Sequence, residues 1–510
     1  MKILLIFTVL ILLNLVKGKN LRDGLNSVRW MLTEKEITES RRGYYRNDIS
    51  TFTDDNNVEY LIDGEVYMDR LYSDLIRTKK GDFIHATLFE ESGSFIFRPN
   101  PNDRIASEKT SFRNMVKEAV KRGVSIRLLV NCNLIQFVMA APFCIEMNMI
   151  CGYTCCGLDT RHHNWIMGTL HTKMWVIKIG NETIVYNGGM DVALGRWDTQ
   201  KHDDSKERKI NKHRLGSTAM HDSVMRMTGP IVIDYERHFH QSWNDPYPAL
   251  YPFHILPKYD WVEPPYQRHK GSGFQIQLLR NLGCRGAVKG LYQNFAPMGE
   301  TSSFYGLKKL IEGAREFLYL EDQFFNYPEL LRIIKKQLPA LKFVIIVTND
   351  QATPPLFSNE RYYIQYQALN LLREDPEQAK KVFIYNLVRD TNPSKTIYLH
   401  SKIFIADDEY IIGGSFGVER ASMTNDQDLG MGIYNKNRKF VKDVRKRIWA
   451  EHLMLSETNP ILENPFTALT EWIKQADQAK KRVRKYFPKK VQWTVLCDIF
   501  DSVFETDGAC

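Results

Sequence analysis

Apolar and polar positions along this chain repeat with two different periods. From Ser111 to Gly123 apolar residues recur every three to four positions, the spacing of a helix with one buried face. Val124 to Val130 follows as a short apolar run, as expected of a strand buried on both faces. The same order returns later, with a helix predicted over Pro328 to Leu338 and a strand over Leu341 to Val347. After a long connection, each pair leads to another apolar run that begins with His-x-Lys. These runs are Leu170-His171-Thr172-Lys173-Met174-Trp175-Val176-Ile177 and Leu399-His400-Ser401-Lys402-Ile403-Phe404-Ile405-Ala406. Side chains on a strand repeat every two residues, so each His is expected on the same face as its Lys.

The correspondence continues. A polar hairpin returns each run into a further strand, Thr183 to Tyr186 and Tyr410 to Ile412. Both end in small residues, Gly188-Gly189 and Gly413-Gly414-Ser415. A carboxylate-bearing strand follows each: His221-Asp222-Ser223-Val224-Met225 and Gln427-Asp428-Leu429-Gly430-Met431. Trp243 closes one C-terminal helix, and Trp449-Ala450-Glu451-His452-Leu453 lies in the other. An internal repeat of helix and strand predicts an α/β fold of two similar halves. Their expected extents are 61–265 and 266–456, with a Pro- and Gly-rich linker near Pro264-Pro265 to Gly273. A polar segment, 19–60, precedes them. A basic, cysteine-containing tail with one helix, 457–510, follows.

Length and composition exclude few classes. The 510 residues are 43% apolar and 25% charged, which argues against a disordered chain or a fibre. Ile3 to Val16 is the longest apolar run, shorter than the roughly 20 residues of a membrane span. With Lys2 before it and small residues at Val16, its last position, and at Gly18, residues 1–18 have the form of a secretory signal cleaved near Gly18. The expected location is therefore the secretory pathway, with the mature protein secreted or in the endolysosomal lumen. A retained anchor helix is the other reading of that segment.

That compartment permits disulfides. Of eight cysteines, five fall between Cys132 and Cys156. Their spacing lacks a paired C-x2-C, so a disulfide-stapled loop is expected there rather than zinc. Leu134, Phe137, Val138, Met139, Ile145, Met147 and Ile150 make that stretch unusually apolar. It is read either as core or as a loop that dips into a lipid surface. Cys497 and Cys510 are placed to close the tail, and the connectivity stays open. Asn181-Glu182-Thr183 is a glycosylation sequon, at Asn181. The net charge of +9 suits an anionic partner, phospholipid surface or nucleic acid alike. Part of it is crowded into Lys480, Lys481, Arg482, Arg484, Lys485, Lys489 and Lys490, a solvated face or an anionic-surface contact.

With 13 histidines, one His-x-Lys is expected by chance. Two of them in matching contexts are not. Neutral imidazole is a good nucleophile near neutral pH, and its conjugate acid is a good proton donor. Two imidazoles facing one phosphoryl group can divide attack and leaving-group protonation between them. Two ammonium groups beside them neutralise the non-bridging oxygens, so no metal and no cofactor is called for. Asp222 and Asp428 are, by position, the carboxylates expected to hold the two imidazoles in the useful tautomer. A strand-edge surface aspartate is the alternative for each.

With these residues in view, the chain resembles the phospholipase D superfamily, marked by two H-x-K-x4-D motifs. The second copy fits in full with His400, Lys402 and Asp407, followed by Gly414-Ser415. The first has His171 and Lys173, but Lys178 stands where aspartate is expected. Gly195-Arg196-Trp197-Asp198-Thr199-Gln200, His221-Asp222, Tyr319-Leu320-Glu321-Asp322-Gln323-Phe324-Phe325 and Ile448 to Leu453 resemble the eukaryotic, phosphatidylcholine-hydrolysing members. The resemblance covers roughly 61–456. It implies an intramolecular pseudo-dimer with the site between the halves. It also implies a nucleophile at His171 and an acid at His400, roles the two can exchange.

Lys173, Lys402, Asp407, Asp222 and Asp428 complete the implied catalytic set, the motif aspartate serving structure more than phosphoryl transfer. Gly189, Asp191, Gly414, Ser415, Glu321 and Gln323 are the implied substrate-binding residues. Where the family often has asparagine, this chain has Asp191 and Gly417, which puts a phosphate contact in doubt.

Three functions are compatible with this reading. The first is a phospholipase D that cleaves phosphatidylcholine or a related lipid at a membrane surface, through a phosphohistidine, with water or a primary alcohol as acceptor. The second is an exported 5′-exonuclease on single-stranded nucleic acid, which needs an aromatic stacking platform. Tyr362, Tyr363 and Tyr366 are its candidates, although their helical spacing also suits packing. The third is a catalytically damaged lipid-binding protein, supported only by Lys178 and Gly417.

Overall fold

A computed structural model describes residues 29–133, 136–152, 155–159, 168–212, 218–245, 256–284, 293–350 and 358–498. The segment expected to be a signal, Leu134 and Cys510 lie outside the described residues. The protein is α/β, built on one 16-stranded sheet, fifteen strands in line and a short sixteenth, Glu300–Thr301, paired with Phe274–Leu282. From one edge the strands run Val483–Lys485, Val382–Leu387, Phe343–Val347, Phe317–Glu321, Ile403–Ala406, Tyr410–Gly414, Asp428–Asn435 and Phe274–Leu282. Across a seam they continue as Thr53–Ile62, Ser223–Thr228, Glu182–Gly188, Met174–Ile179, Phe83–Leu88, Ser125–Asn131 and Cys156–Asp159. Outward from that seam, where Thr53 faces Ile276 and Asn56 faces Phe274, both halves have the same strand order.

The repeating elements form for the reasons their patterns give. Helix Phe112–Lys121 buries Phe112, Met115, Val116 and Ala119, one face at i, i+3, i+4 and i+7. Pro328 begins helix Pro328–Gln337 at a position where its missing N–H costs nothing. Strand Phe343–Val347 is buried along its whole length between two parallel neighbours, hence its unbroken apolar run. Both His-x-Lys motifs, however, lie just before their strands, which start at Met174 and Ile403 rather than at Leu170 and Leu399.

One apolar cluster joins the halves through Trp243, Trp449 and Trp472, and each half has its own outer core. The halves extend beyond the expected limits. The first begins at Thr53, eight positions before 61, because Val58 and Tyr60 already belong to the central core. Residues from 29 onward are not a separate segment. Trp30 stacks on Tyr410 with ring centroids 5.5 Å apart, and Leu32 N–H donates to Gln277 Oε1 at 2.8 Å. The tail is also part of the fold. Helix Pro465–Ala476 packs Trp472 on Trp449, and Val483–Lys485 pairs with Val382–Leu387. Arg482 is therefore buried, while Lys480, Lys481 and Lys485 stay outside the core.

The apolar, cysteine-rich stretch is a helix, Phe137–Cys151, rather than a loop. Disulfide Cys144–Cys156 pins its middle to strand Cys156–Asp159, and Cys151–Cys155 ties its last residue to the position just before that strand. Cys132 and Cys497 are buried free thiols, so the expected closure of the tail through Cys497 is not made. Asn181 is exposed, on the turn between Met174–Ile179 and Glu182–Gly188. Among the described residues no helix is long and apolar enough to cross a membrane.

Candidate active site

Short connections between the halves bring the two motifs together. Leu170 bridges Gln427 in parallel, and His171 N–H donates to Gln427 O at 2.8 Å. Strand Ile397–Leu399 pairs with Ala219–His221, and His400 N–H donates to His221 O at 2.8 Å. Each motif is thereby stitched beside the carboxylate strand of the opposite half. His171 Nδ1 lies 2.9 Å from Asp428 Oδ1, and His400 Nδ1 lies 2.7 Å from Asp222 Oδ2. With both carboxylates taking Nδ1–H, each imidazole keeps Nε2 for chemistry. Ser415 Oγ donates to Asp428 Oδ1 at 2.6 Å, so this hydroxyl orients a carboxylate. Gly189 and Gly414 permit close approach. A Cβ on Gly189 would sit 2.3 Å from Asp222 Oδ1, and one on Gly414 2.5 Å from Gly430 Cα.

The lysines complete two matching sets. Lys173 Nζ donates to His171 O at 2.8 Å, and Lys402 Nζ to His400 O at 2.6 Å. Lys402 also donates to Gln323 Oε1 at 2.7 Å. Lys173 has Asp191 at 3.6 Å and lies 4.3 Å from the centre of the Phe89 ring. Burial, then the neighbouring cations, lowers the pKa of both imidazoles, His400 the more strongly. Burial pushes Lys402 down to about 8 and Asp222 up to about 6. Burial raises Asp428 as well, but His171 and Ser415 more than offset it, leaving this carboxyl below its ordinary value.

Other expected site residues lie elsewhere. Asp407 is on the outer side of the second half. It accepts from the backbone N–H groups of Arg315, Glu316 and Phe317 and pairs with Arg29 at 2.9 Å, so it does not belong to the catalytic set. The first half exchanges the charges. Lys178 donates to Gly81 O, and the carboxylate comes from Asp82, which accepts from Gly180 N–H at 2.8 Å.

Glu321 is fully buried among Tyr319, Ser401 and His452, a core partner rather than a substrate ligand. Asp191 accepts from the N–H groups of Phe89 and Glu90, so it also braces the loop beside Lys173. A Cβ on Gly417 would meet Asp322 Oδ2 at 3.1 Å, and Asp322 acts on Lys402. Sequence reasoning gave no role to Arg196 or Glu90. Arg196 Nη2 pairs with Glu90 Oε2 at 2.7 Å, and its charge acts on His400. Its place in the Gly195–Gln200 motif was the available signal. The tyrosines considered for stacking lie in helix Ser358–Asn370, where Tyr362 donates to Asp350 and Tyr366 packs on Phe487.

Comparison with known proteins agrees with this geometry. The family model described as Phospholipase D matches residues 365–500. Phospholipase D1 of Saccharomyces cerevisiae is 23% identical over 501 residues, covering 78% of this chain and 28% of the yeast protein. Phospholipase D delta of Arabidopsis thaliana is 38% identical over 426 residues, covering 56% and 48%. The chain thus spans about half the length or less of these curated relatives. Among solved structures, phosphatidylserine synthase of Haemophilus influenzae Rd KW20 shares the fold, with a TM-score of 0.51 and 13% identity. That match covers 88% of this chain and 93% of the synthase.

Proposed function

Because this chain belongs to the phospholipase D superfamily, we propose that it is a phosphodiesterase that hydrolyses phosphatidylcholine or a related glycerophospholipid to phosphatidic acid and free head group. The observation that carries this reading is the facing of two imidazole–lysine sets, each completed by the other half's carboxylate. His171 Nε2 attacks phosphorus as the bond to the head-group oxygen breaks, and His400 gives that oxygen its proton. Lys173 and Lys402 bear the charge on the non-bridging oxygens. His400, now neutral, takes a proton from water as the water oxygen attacks phosphorus. The phosphorus–nitrogen bond then breaks and frees His171. Burial and the neighbouring cations lower the pKa of both imidazoles, and the anionic diester brings a negative charge that favours the proton on His400.

A lipid substrate is supported by helix Phe137–Cys151, which leaves Val138 73%, Met139 65% and Met149 67% exposed. Such a patch suits the surface where the substrate resides. The test is incubation with phosphatidylcholine and primary butanol, beside a 5′-tagged oligonucleotide. Phosphatidylbutanol should form at the expense of phosphatidic acid, because any small nucleophile that reaches the phosphohistidine can take the phosphatidyl group. Shortening of the oligonucleotide with no lipid product would replace this reading by the nuclease. Phosphatidic acid without the alcohol adduct would remove the covalent intermediate.

A further inference from the structure

A second histidine–carboxylate cluster lies one residue from Asp222, and the proposed phosphoryl chemistry does not use it. His221 Nδ1 is 3.2 Å from Asp63 Oδ1 and 2.9 Å from Glu451 Oε1. His202 Nε2 is 3.0 Å from the same Glu451 oxygen and 3.8 Å from Asp63 Oδ2. One atom from each of the four side chains lies within 4.8 Å of all the others, and the cluster is withdrawn from solvent. The remaining nitrogen of each imidazole faces a carboxylate outside the four. His202 Nδ1 is 3.1 Å from Asp198 Oδ2, and His221 Nε2 is 3.4 Å from Glu321 Oε2. Metal-bound histidines are held in this way, with one nitrogen on the ion and the other on an outer carboxylate.

Charge and geometry together separate a cation from protons. Asp63, Asp198, Glu321 and Glu451 bring four negative charges, and Arg208, 3.7 Å from Asp198, and Arg482, 4.0 Å from Glu451, return two. The remaining two negative charges can be met by protons on His202, His221 or His452, the last of which lies 2.8 Å from Glu321, or by one divalent cation. Protons require N–H bonds aimed at acceptors. His202 meets that requirement, with hydrogen bonds from Nδ1 to Asp198 Oδ2 and from Nε2 to Glu451 Oε1, but neither ring nitrogen of His221 makes one despite the short distances, and Asp63 Oδ2 and Glu451 Oε2 make none either. A cation among the four atoms needs no such alignment. Tetrahedral zinc with bonds of about 2.0–2.1 Å sets its ligands about 3.3 Å apart; Glu451 Oε1 lies 2.9 and 3.0 Å from the two imidazole nitrogens, and Asp63 lies 3.2 Å from His221 through Oδ1 and 3.8 Å from His202 through Oδ2.

We propose that Asp63, His202, His221 and Glu451 bind one divalent transition-metal ion, with zinc the best match to two imidazoles and two carboxylates. Two surface clefts, of about 430 and 370 Å³, reach Asp63 and Glu451 and share Gln200, Lys201 and Asp203 in their walls. They give the ion a way in. Four protein ligands leave no open position, so the ion is structural. It clamps helices Asp63–Leu75 and Lys439–Leu453, one from each half, beside strand Ala219–His221.

The test is a metal count by mass spectrometry on the purified full chain, produced with zinc supplied, together with the visible spectrum of protein produced with cobalt(II). Both are read without any activity. About one zinc per chain and the intense bands of tetrahedral cobalt(II) are expected, with loss of the metal in His202→Ala and Glu451→Gln. If these variants fail to fold, the wild-type count and spectrum decide. A folded wild-type chain that is metal-free after zinc was supplied would overturn the proposal. So would an ion retained in both variants.

Discussion

Asp428 Oδ1 lies 2.9 Å from His171 Nδ1, across 257 positions of the chain and across the two halves. His400 and Asp222 repeat the relationship in the opposite sense at 2.7 Å. Neither half therefore holds a complete set, and the site exists only where they meet. An ionised carboxylate on Nδ1 fixes the tautomer that leaves Nε2 bare for attack. Asp428→Asn should lower kcat by about 10⁴-fold, with little change in melting temperature. Near wild-type kcat in a folded Asp428→Asn variant would show that His171 does not depend on this carboxylate.

In the proposed mechanism the two imidazoles act on one phosphorus, so their losses should not add. His171→Ala and His400→Ala are each expected to lower kcat by about 10⁴-fold or more, and the double variant no further. The covalent intermediate also assigns the roles. Wild-type enzyme denatured rapidly at mildly alkaline pH, where the phosphorus–nitrogen bond survives, should give a phosphatidylated peptide containing His171, read by mass spectrometry. Label on His400 instead would exchange the two roles while keeping the mechanism.

How much of this was legible depended on distance along the chain. The repeat showed because each helix, strand and His-x-Lys lies within a local pattern, and the sheet keeps that order twice. Asp222 and Asp428 could be singled out by position, since each begins or adjoins the same strand in its copy. Glu321 was misjudged because its motif did not reveal which face of the strand points to His452. The Lys178–Asp82 exchange was hidden because the carboxylate had moved to another segment. The same holds for Asp63, His202, His221 and Glu451, which share no spacing. Residues from 29 onward read as an unplaced polar segment because their partners, Tyr410, Asp407 and Gln277, are hundreds of residues away.

Asp407 separates stability from turnover. Its carboxylate takes three backbone N–H groups and one guanidinium with almost no solvent contact. Asp407→Ala leaves those donors without a partner and should cost about 3 kcal/mol in urea unfolding. At a temperature where the variant stays folded, kcat/KM should remain within a few-fold of wild type. A large kcat loss in a variant of unchanged stability would return Asp407 to the catalytic set.

The exposed side of helix Phe137–Cys151 offers a second separation. Val138, Met139 and Met149 point to solvent, while Ala140, Phe143, Cys144 and Met147 are buried. Val138→Glu with Met139→Gln changes only the outer side. It should weaken binding to phosphatidylcholine vesicles about tenfold and spare hydrolysis of a monomeric short-chain lipid. Equal losses on both substrates would make this patch part of the site rather than of membrane contact.

The dependence on pH follows from two groups with opposite signs. Asp222, pushed up to about 6 by burial against the pull of Lys402, must be ionised to accept from His400 Nδ1–H. Activity is therefore lost as pH falls through about 6. Lys402, pushed down to about 8 by burial against the pull of Asp222 and Asp322, must be protonated to meet the phosphoryl charge. Activity is lost again as pH rises through about 8. The profile of kcat/KM on a soluble substrate should be a bell with its top near pH 7, its limbs belonging to the interacting set. Asp222→Asn should flatten the acid limb of whatever activity remains. Lys402→Arg, whose guanidinium stays charged, should flatten the alkaline one. An acid limb that persists unchanged in Asp222→Asn would assign it to another group and leave Asp222 with an orienting role alone.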